Sequence, residues 1–181
     1  MIRSMKKTLI LHAWFQTPES NWYPWLKGEL EQRGYEVWVP ELPIMPTDQP
    51  DMEAMLKFVM ERDFVDADTV VIGHSLGSVL ALRLAERIAF RKGILLAVWD
   101  FNDLTPEHAS FWPNMIDHAK IKENVKEWIF PISDNDPYVT PAIAKEVAGR
   151  VNGRVVEMGK RGHFLTKEDG VSEVREILEF V

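Results

Sequence analysis

The chain of 181 residues contains no cysteine. This absence excludes disulfide scaffolds, thiolate zinc fingers, C-x-x-C redox chemistry and any cysteine nucleophile. It suits a cytoplasmic address without requiring one. Long apolar runs are missing as well. Stretches such as Val70–Ile72 and Ile94–Trp99 fall far short of the ~20 residues that span a bilayer, so no membrane segment is expected. Met1–Lys7 is basic and leads into Thr8–Leu11, but His12 and Gln16 interrupt the apolar run that a signal peptide needs. It reads as a short leader into a first strand, with Met1 or Met5 as the start. Positive charge is scarce: 21 Lys and Arg against 28 Asp and Glu leave a net charge of −7. Such a chain suits neither a phosphate backbone nor an anionic lipid surface. There is no His-x-x-x-His pair, no Glu-rich cluster and no internal repeat, so neither metal nor cofactor is expected.

Enough remains for one sizeable core. Hydrophobic residues make up 46% and charged residues 27%, the balance of a soluble domain. The length predicts a single domain over residues 1–181. Short β-type runs alternate with amphipathic stretches along the whole chain. Strands are predicted at 8–12, 35–39, 69–72, 93–98, 127–132 and 154–158. Helices are predicted between them, with Ser20, Asp51 and Thr140 as N-caps. The third helix reads as 75–90, a further helical stretch lies near 114–124, and a last helix is expected at about 168–180. This alternation implies an α/β fold: a predominantly parallel sheet of about six strands, flanked by helices. In such sheets chemistry sits at the carboxyl ends of the strands.

The third strand runs directly into Gly73-His74-Ser75-Leu76-Gly77 and then into a helix. A G-x-S-x-G run at a strand–helix junction is the nucleophile elbow. The serine is forced into a strained turn that lifts its hydroxyl above the sheet. Glycine is needed on both sides because side chains there would strike the crossing backbone. Chance gives this pattern about 0.02 times in a chain of this composition.

A serine needs a base, and the base needs an orienting acid. The fifth strand ends in Ser133-Asp134-Asn135-Asp136-Pro137, and the sixth is followed by Gly162-His163-Phe164. The order Ser75, Asp136, His163 is that of α/β-hydrolases, each residue past a different strand end. Asp136 is preferred as the acid because its turn resumes as a helix at Thr140. Asp134 is the main rival, and Asp100 and Asp103 are weaker ones. Aspartates are common in turns for ordinary reasons, so the order of the three residues carries the inference.

With these residues in hand the sequence resembles the small serine-hydrolase family that includes retinoblastoma-binding protein nine and the bacterial YdeN-like esterases. The resemblance runs from Leu11-His12-Ala13-Trp14 through Asn21–Leu26, Pro40–Pro43, Gly73–Gly77 and Asp136-Pro137 to Gly162-His163-Phe164. It implies a compact α/β-hydrolase without a large lid, with Ser75, Asp136 and His163 as nucleophile, acid and base. One position departs from the pattern: Ala13 stands where many α/β-hydrolases have glycine. The oxyanion donors then map to the backbone N–H groups of Trp14 and Leu76. Phe15 is the alternative to Trp14, because alanine resists positive φ. The retinoblastoma partner, often bound through L-x-C-x-E, does not carry over to a chain without cysteine.

The expected reaction is hydrolysis of small acyl esters by an acyl-enzyme route. Amidase, peptidase or thioesterase activity on the same residues is the alternative, as is a binding protein with a vestigial triad. No nucleic-acid or membrane partner is expected. Trp99, Phe111 and Trp112, with Phe15 and Trp14, fall in loops at the catalytic end and are candidates to line the substrate pocket. The Pro40–Pro50 segment is expected to wall the mouth. His12 and His74 read as structural residues beside the site, and His108 and His118 as surface or helix residues. The interval 99–126 is too short to roof a long acyl tunnel, which predicts an open cleft.

Overall fold

The computed structural model describes residues 6–181, so the leader and the choice between Met1 and Met5 lie outside the described residues. Six strands form one sheet: β1 (Lys6–Leu11), β2 (Tyr35–Trp38), β3 (Val70–His74), β4 (Lys92–Leu96), β5 (Glu127–Ile132) and β6 (Arg154–Glu157). Their order is β2-β1-β3-β4-β5-β6, and every pairing is parallel. The β-α alternation requires this, since a parallel return needs a crossover, here through a helix at each step.

Successive side chains on a strand face opposite ways. Leu9, Leu11, Val71, Leu95, Trp128 and Phe130 therefore enter one core, while Ile10, Val70, Ile72, Ile94 and Ile129 enter the other. Helices α2 (Met52–Glu61), α3 (Leu76–Ala85), α4 (His118–Asn124) and α5 (Pro141–Arg150) contribute to the first core. Helix α1 (Tyr23–Gln32) and the C-terminal segment cover the second. Every residue of β3, β4 and α3 is buried. The strand order reverses between β1 and β3, which makes the space above their carboxyl ends the crevice of the sheet. Among the described residues no helix is long and apolar enough to cross a membrane.

Two predicted caps hold. Asp51 accepts from Ala54 N–H at 3.0 Å, and Thr140 caps Ile143 N–H. Ser20 does not cap α1. The helix starts at Tyr23, and the Ser20 hydroxyl accepts instead from Thr17 N–H at 2.9 Å. Helix α3 ends at Ala85 rather than near residue 90. The chain must turn there so that Arg91 N–H reaches Thr69 O at 2.9 Å and Phe90 packs edge-on against Trp128.

The long C-terminal helix is absent. A single helical turn, α6 (Thr166–Asp169), stops at Gly170 in the left-handed region (φ 71°). An extended stretch then leads to a 3₁₀ turn at Arg175–Glu179. Asp169 turns its carboxylate back onto the preceding loop, so the segment folds around that loop and does not continue along its own axis. A second 3₁₀ turn, Pro106–Phe111, precedes α4 in the interval between β4 and β5.

Candidate active site

Three strand ends converge on one serine. Ser75, between β3 and α3, has φ 54° and ψ −122°. A non-glycine residue there costs about 1–3 kcal/mol and persists only where its surroundings fix it. They do: Leu96 O at the end of β4 accepts both Ser75 N–H (2.9 Å) and the Ser78 hydroxyl (2.7 Å). The flanking glycines are steric requirements. A Cβ on Gly73 would stand 2.6 Å from Ser78 Cα, and one on Gly77 would overlap Leu11 O at the end of β1.

Ser75 Oγ lies 2.8 Å from His163 Nε2, and His163 Nδ1 lies 2.9 Å from each oxygen of Asp136. A carboxylate only accepts, so Nδ1 carries the hydrogen and Nε2, without one, faces the hydroxyl. All three residues are buried. Asp136 Oδ1 also accepts from Tyr138 N–H (2.9 Å) and Val139 N–H (3.0 Å), which fixes the carboxylate. The rival acids are elsewhere. Asp134 is exposed, Asp100 is held by His118 (2.6 Å) and Arg150 (2.5 Å), and Asp103 is bonded to His108 (2.8 Å).

Six backbone polar groups between Arg161 and Leu165, in the loop that carries His163, are bound by side chains. Arg161 N–H donates to Ser133 Oγ (3.0 Å) and Gly162 N–H to Asn135 Oδ1 (2.9 Å). Asp169 Oδ2 accepts from His163 N–H (2.8 Å) and Leu165 N–H (3.0 Å). The carbonyls of His163 and Phe164 accept from His74 Nε2 (2.7 Å) and Trp22 Nε1 (3.2 Å).

The turn after β1 supplies the oxyanion candidates. Ala13 N–H donates to the Tyr23 hydroxyl (3.1 Å), and Phe15 N–H points to Met45 O (3.5 Å). Trp14 N–H and Leu76 N–H have no acceptor among the described residues. The positive φ of this turn falls on Phe15 (57°) and not on Ala13. His12, fully buried, donates from Nδ1 to Ala13 O (3.0 Å) and accepts Leu42 N–H at Nε2 (3.2 Å). Burial holds its pKa below the usual value. The Pro-rich loop supports this turn from behind through Leu42, Met45 and Thr47 O, which takes the Trp14 indole N–H at 2.8 Å. It does not itself line the cleft.

Above Ser75 opens a cleft of about 690 Å³, walled by Trp14, Trp99, Phe101, His108 and Tyr138. Of the predicted pocket residues, Trp14 and Trp99 line it. Phe111 does not: it is fully buried in the core, where the 3₁₀ turn rolls it inward and Arg83 bonds its carbonyl. Trp112 faces an adjoining hollow with Asp100, His118 and Arg150, and Phe15 stacks on Trp14 (4.6 Å) outside the lining. His108 is not a surface residue. It is buried, packs edge-on against Trp14 (4.8 Å) and lines the cleft. The clue was Thr105-Pro106, the same helix-opening pair as Thr140-Pro141.

The sequence model of the serine hydrolase family matches residues 8–179. The chain is 28% identical to the hydrolase YdeN of Bacillus subtilis, over 90% of this chain and 88% of that protein. It is 29% identical to the serine hydrolase RBBP9 of Rattus norvegicus, over 81% and 80%. The crystal structure of the B. subtilis YdeN product superposes with a TM-score of 0.86 at 26% identity, covering 97% of this chain and 96% of that one.

Proposed function

The chain belongs to the serine hydrolase family, and from that premise we propose that it is a carboxylesterase for small acyl esters, acting through Ser75, His163 and Asp136. The observation that carries this reading is the unbroken hydrogen-bonded run from the Ser75 hydroxyl through the imidazole to the buried carboxylate. Ser75 Oγ attacks the ester carbonyl while its proton passes to His163 Nε2. Asp136 holds the Nδ1–H tautomer and stabilises the imidazolium that forms. The carbonyl oxygen, now an anion, takes the free N–H groups of Trp14 and Leu76, whose donors need no reorganisation. As the intermediate collapses, His163 returns the proton to the departing alkoxide and the acyl group stays on Ser75. Water then repeats the sequence in reverse: His163 takes its proton, the hydroxide adds to the acyl carbon, and the acid leaves as Ser75 recovers its hydrogen.

The cleft is open and apolar at its walls, which favours a short acyl group. An aryl or alkyl phosphonate should label wild-type protein at Ser75, and Ser75→Ala should abolish labelling and lower kcat by about 10⁴-fold or more. Labelling that survives, or maps to Ser78, rejects the nucleophile. A matched panel of ester, amide and thioester substrates decides the leaving group, and a folded wild-type protein that neither labels nor turns over any of them rejects an enzyme.

A further inference from the structure

The steps above leave two buried polar side chains without a task. Tyr23 and His74 are both fully buried, on α1 and at the end of β3. His74 Nε2 lies 2.7 Å from the His163 carbonyl oxygen, and a carbonyl can only accept, so Nε2 carries the hydrogen. Burial holds the His74 pKa down to about 3, so the ring is neutral and Nδ1 has a free lone pair. The Tyr23 hydroxyl, 2.6 Å away, must donate to it. That hydroxyl in turn accepts Ala13 N–H at 3.1 Å. Donor and acceptor roles are thus forced from end to end: Ala13 N–H to Tyr23 O–H, Tyr23 O–H to His74 Nδ1, His74 Nε2–H to the carbonyl of His163.

The two ends of this relay are the residue before one proposed oxyanion donor and the backbone of the proposed base. The oxyanion turn follows β1, and the base loop follows β6, four strands away in the sheet. Catalysis needs their spacing to match the tetrahedral intermediate, and a misplacement of about 1 Å can cost ~10²-fold in rate. We propose that Tyr23 and His74 are positioning residues that hold the oxyanion donor of Trp14 and the base His163 in register as one unit. The proposal rests on the serine-hydrolase reading of the site. Neither residue touches the reacting atoms.

Tyr23→Phe removes one oxygen and breaks two links of the relay with almost no change of shape. His74→Gln keeps a donor for His163 O but loses the ring acceptor. Both, and the double variant, should be compared with wild type in the full chain. The measurements are p-nitrophenyl acetate kinetics, the rate of phosphonate labelling at Ser75 and the melting temperature. Tyr23→Phe is expected to lose 10- to 100-fold in kcat, with KM within about threefold, and to label more slowly by a similar factor. The double variant should be no slower than the slower single one, since either change already severs the relay. A folded Tyr23→Phe with kcat within twofold of wild type overturns the proposal, even if its melting temperature drops. Losses that multiply in the double variant overturn it too. If His74→Gln does not fold, the kcat and KM of Tyr23→Phe decide alone. A wild-type protein that does not label overturns the hydrolase reading and the relay with it. Wild-type labelling beside an unaffected Tyr23→Phe overturns the relay only.

Discussion

The loop that carries His163 and the segment that walls the cleft, residues 99–117, are built on opposite plans. In the first, side chains of Ser133, Asn135, Asp169, His74 and Trp22 bind successive backbone groups. The second is pinned at Asp100, through His118 and Arg150, and at Phe111 and Asn114, where the buried Arg83 guanidinium bonds both carbonyls. Elsewhere it presents apolar side chains to solvent: Leu104 is 83% exposed and Met115 91%. A base must be held within a fraction of an ångström, whereas a wall that only excludes water and contacts an acyl chain tolerates movement. On the proposed reading, chemistry is fixed on one side of Ser75 and substrate choice is left to the other.

The largest expected break is on the fixed side. Asp136→Asn should stay folded and lose about 10⁴-fold in kcat, because the imidazole can no longer be held in the productive tautomer. The exposed Asp134, changed to Asn, should cost less than about threefold. Matched kinetics with these effects reversed would move the acid by two residues.

The same side should also fail first in acid. The unfolded chain protonates His74 near its ordinary pKa of 6.5, but the folded chain does so only near about 3. The unfolded state therefore binds the extra proton throughout that window. The contribution is intact above pH 6.5 and is lost as pH falls towards 3, at up to about 1.4 kcal/mol per pH unit. His12, held down by the same burial, adds in the same direction. Urea unfolding at several pH values should give a steeper slope between pH 6 and 4 for wild type than for His74→Gln. Equal slopes would show that His74 is not the group involved.

Asp169→Ala should come next. It leaves two N–H groups of the base loop unpaired, for a loss of roughly 1–3 kcal/mol in stability, with a fall in kcat and little change in KM. If kcat holds while stability drops, the clamps serve folding alone.

Changes on the wall should be smallest. Phe101→Ala should alter kcat/KM by only a few-fold and should shift the preferred acyl length without changing labelling of Ser75. Each buried CH₂ is worth about 0.8 kcal/mol, so gains should end once the chain outgrows the cleft. An acyl-length series of p-nitrophenyl esters should therefore peak at short chains, with no jump when the substrate passes its solubility limit. A maximum at long chains, or activation on emulsions, would mean that 99–117 closes as a lid.

What could be read from the sequence was local or ordered along the chain. Gly73 and Gly77 are legible because their lack of Cβ is a steric condition of the elbow. The order Ser75, Asp136, His163 is legible because parallel strands place successive loops on one edge. The C-terminal segment was misread because apolar spacing at Val171, Val174 and Ile177 looks helical. Gly170 and the turned-back Asp169 break that axis. Phe111 and His108 were misplaced since a 3₁₀ turn presents a different face from an α-helix. The relay left no pattern at all: two of its three links join residues 51 and 89 positions apart, and no local periodicity encodes such a pairing.

His12, His74 and His163 crowd the crevice, with the His74 and His163 rings 5.6 Å apart, yet they are not equivalent. His12 carries its hydrogen on Nδ1 and His74 on Nε2, each frozen by a carbonyl that cannot donate. Burial lowers the pKa of both, that of His74 to about 3. In the proposed reaction, a proton lifted from Ser75 therefore finds a single vacant basic nitrogen among the three neighbouring rings. Its path back is fixed as well, because neither buried neighbour can compete for it.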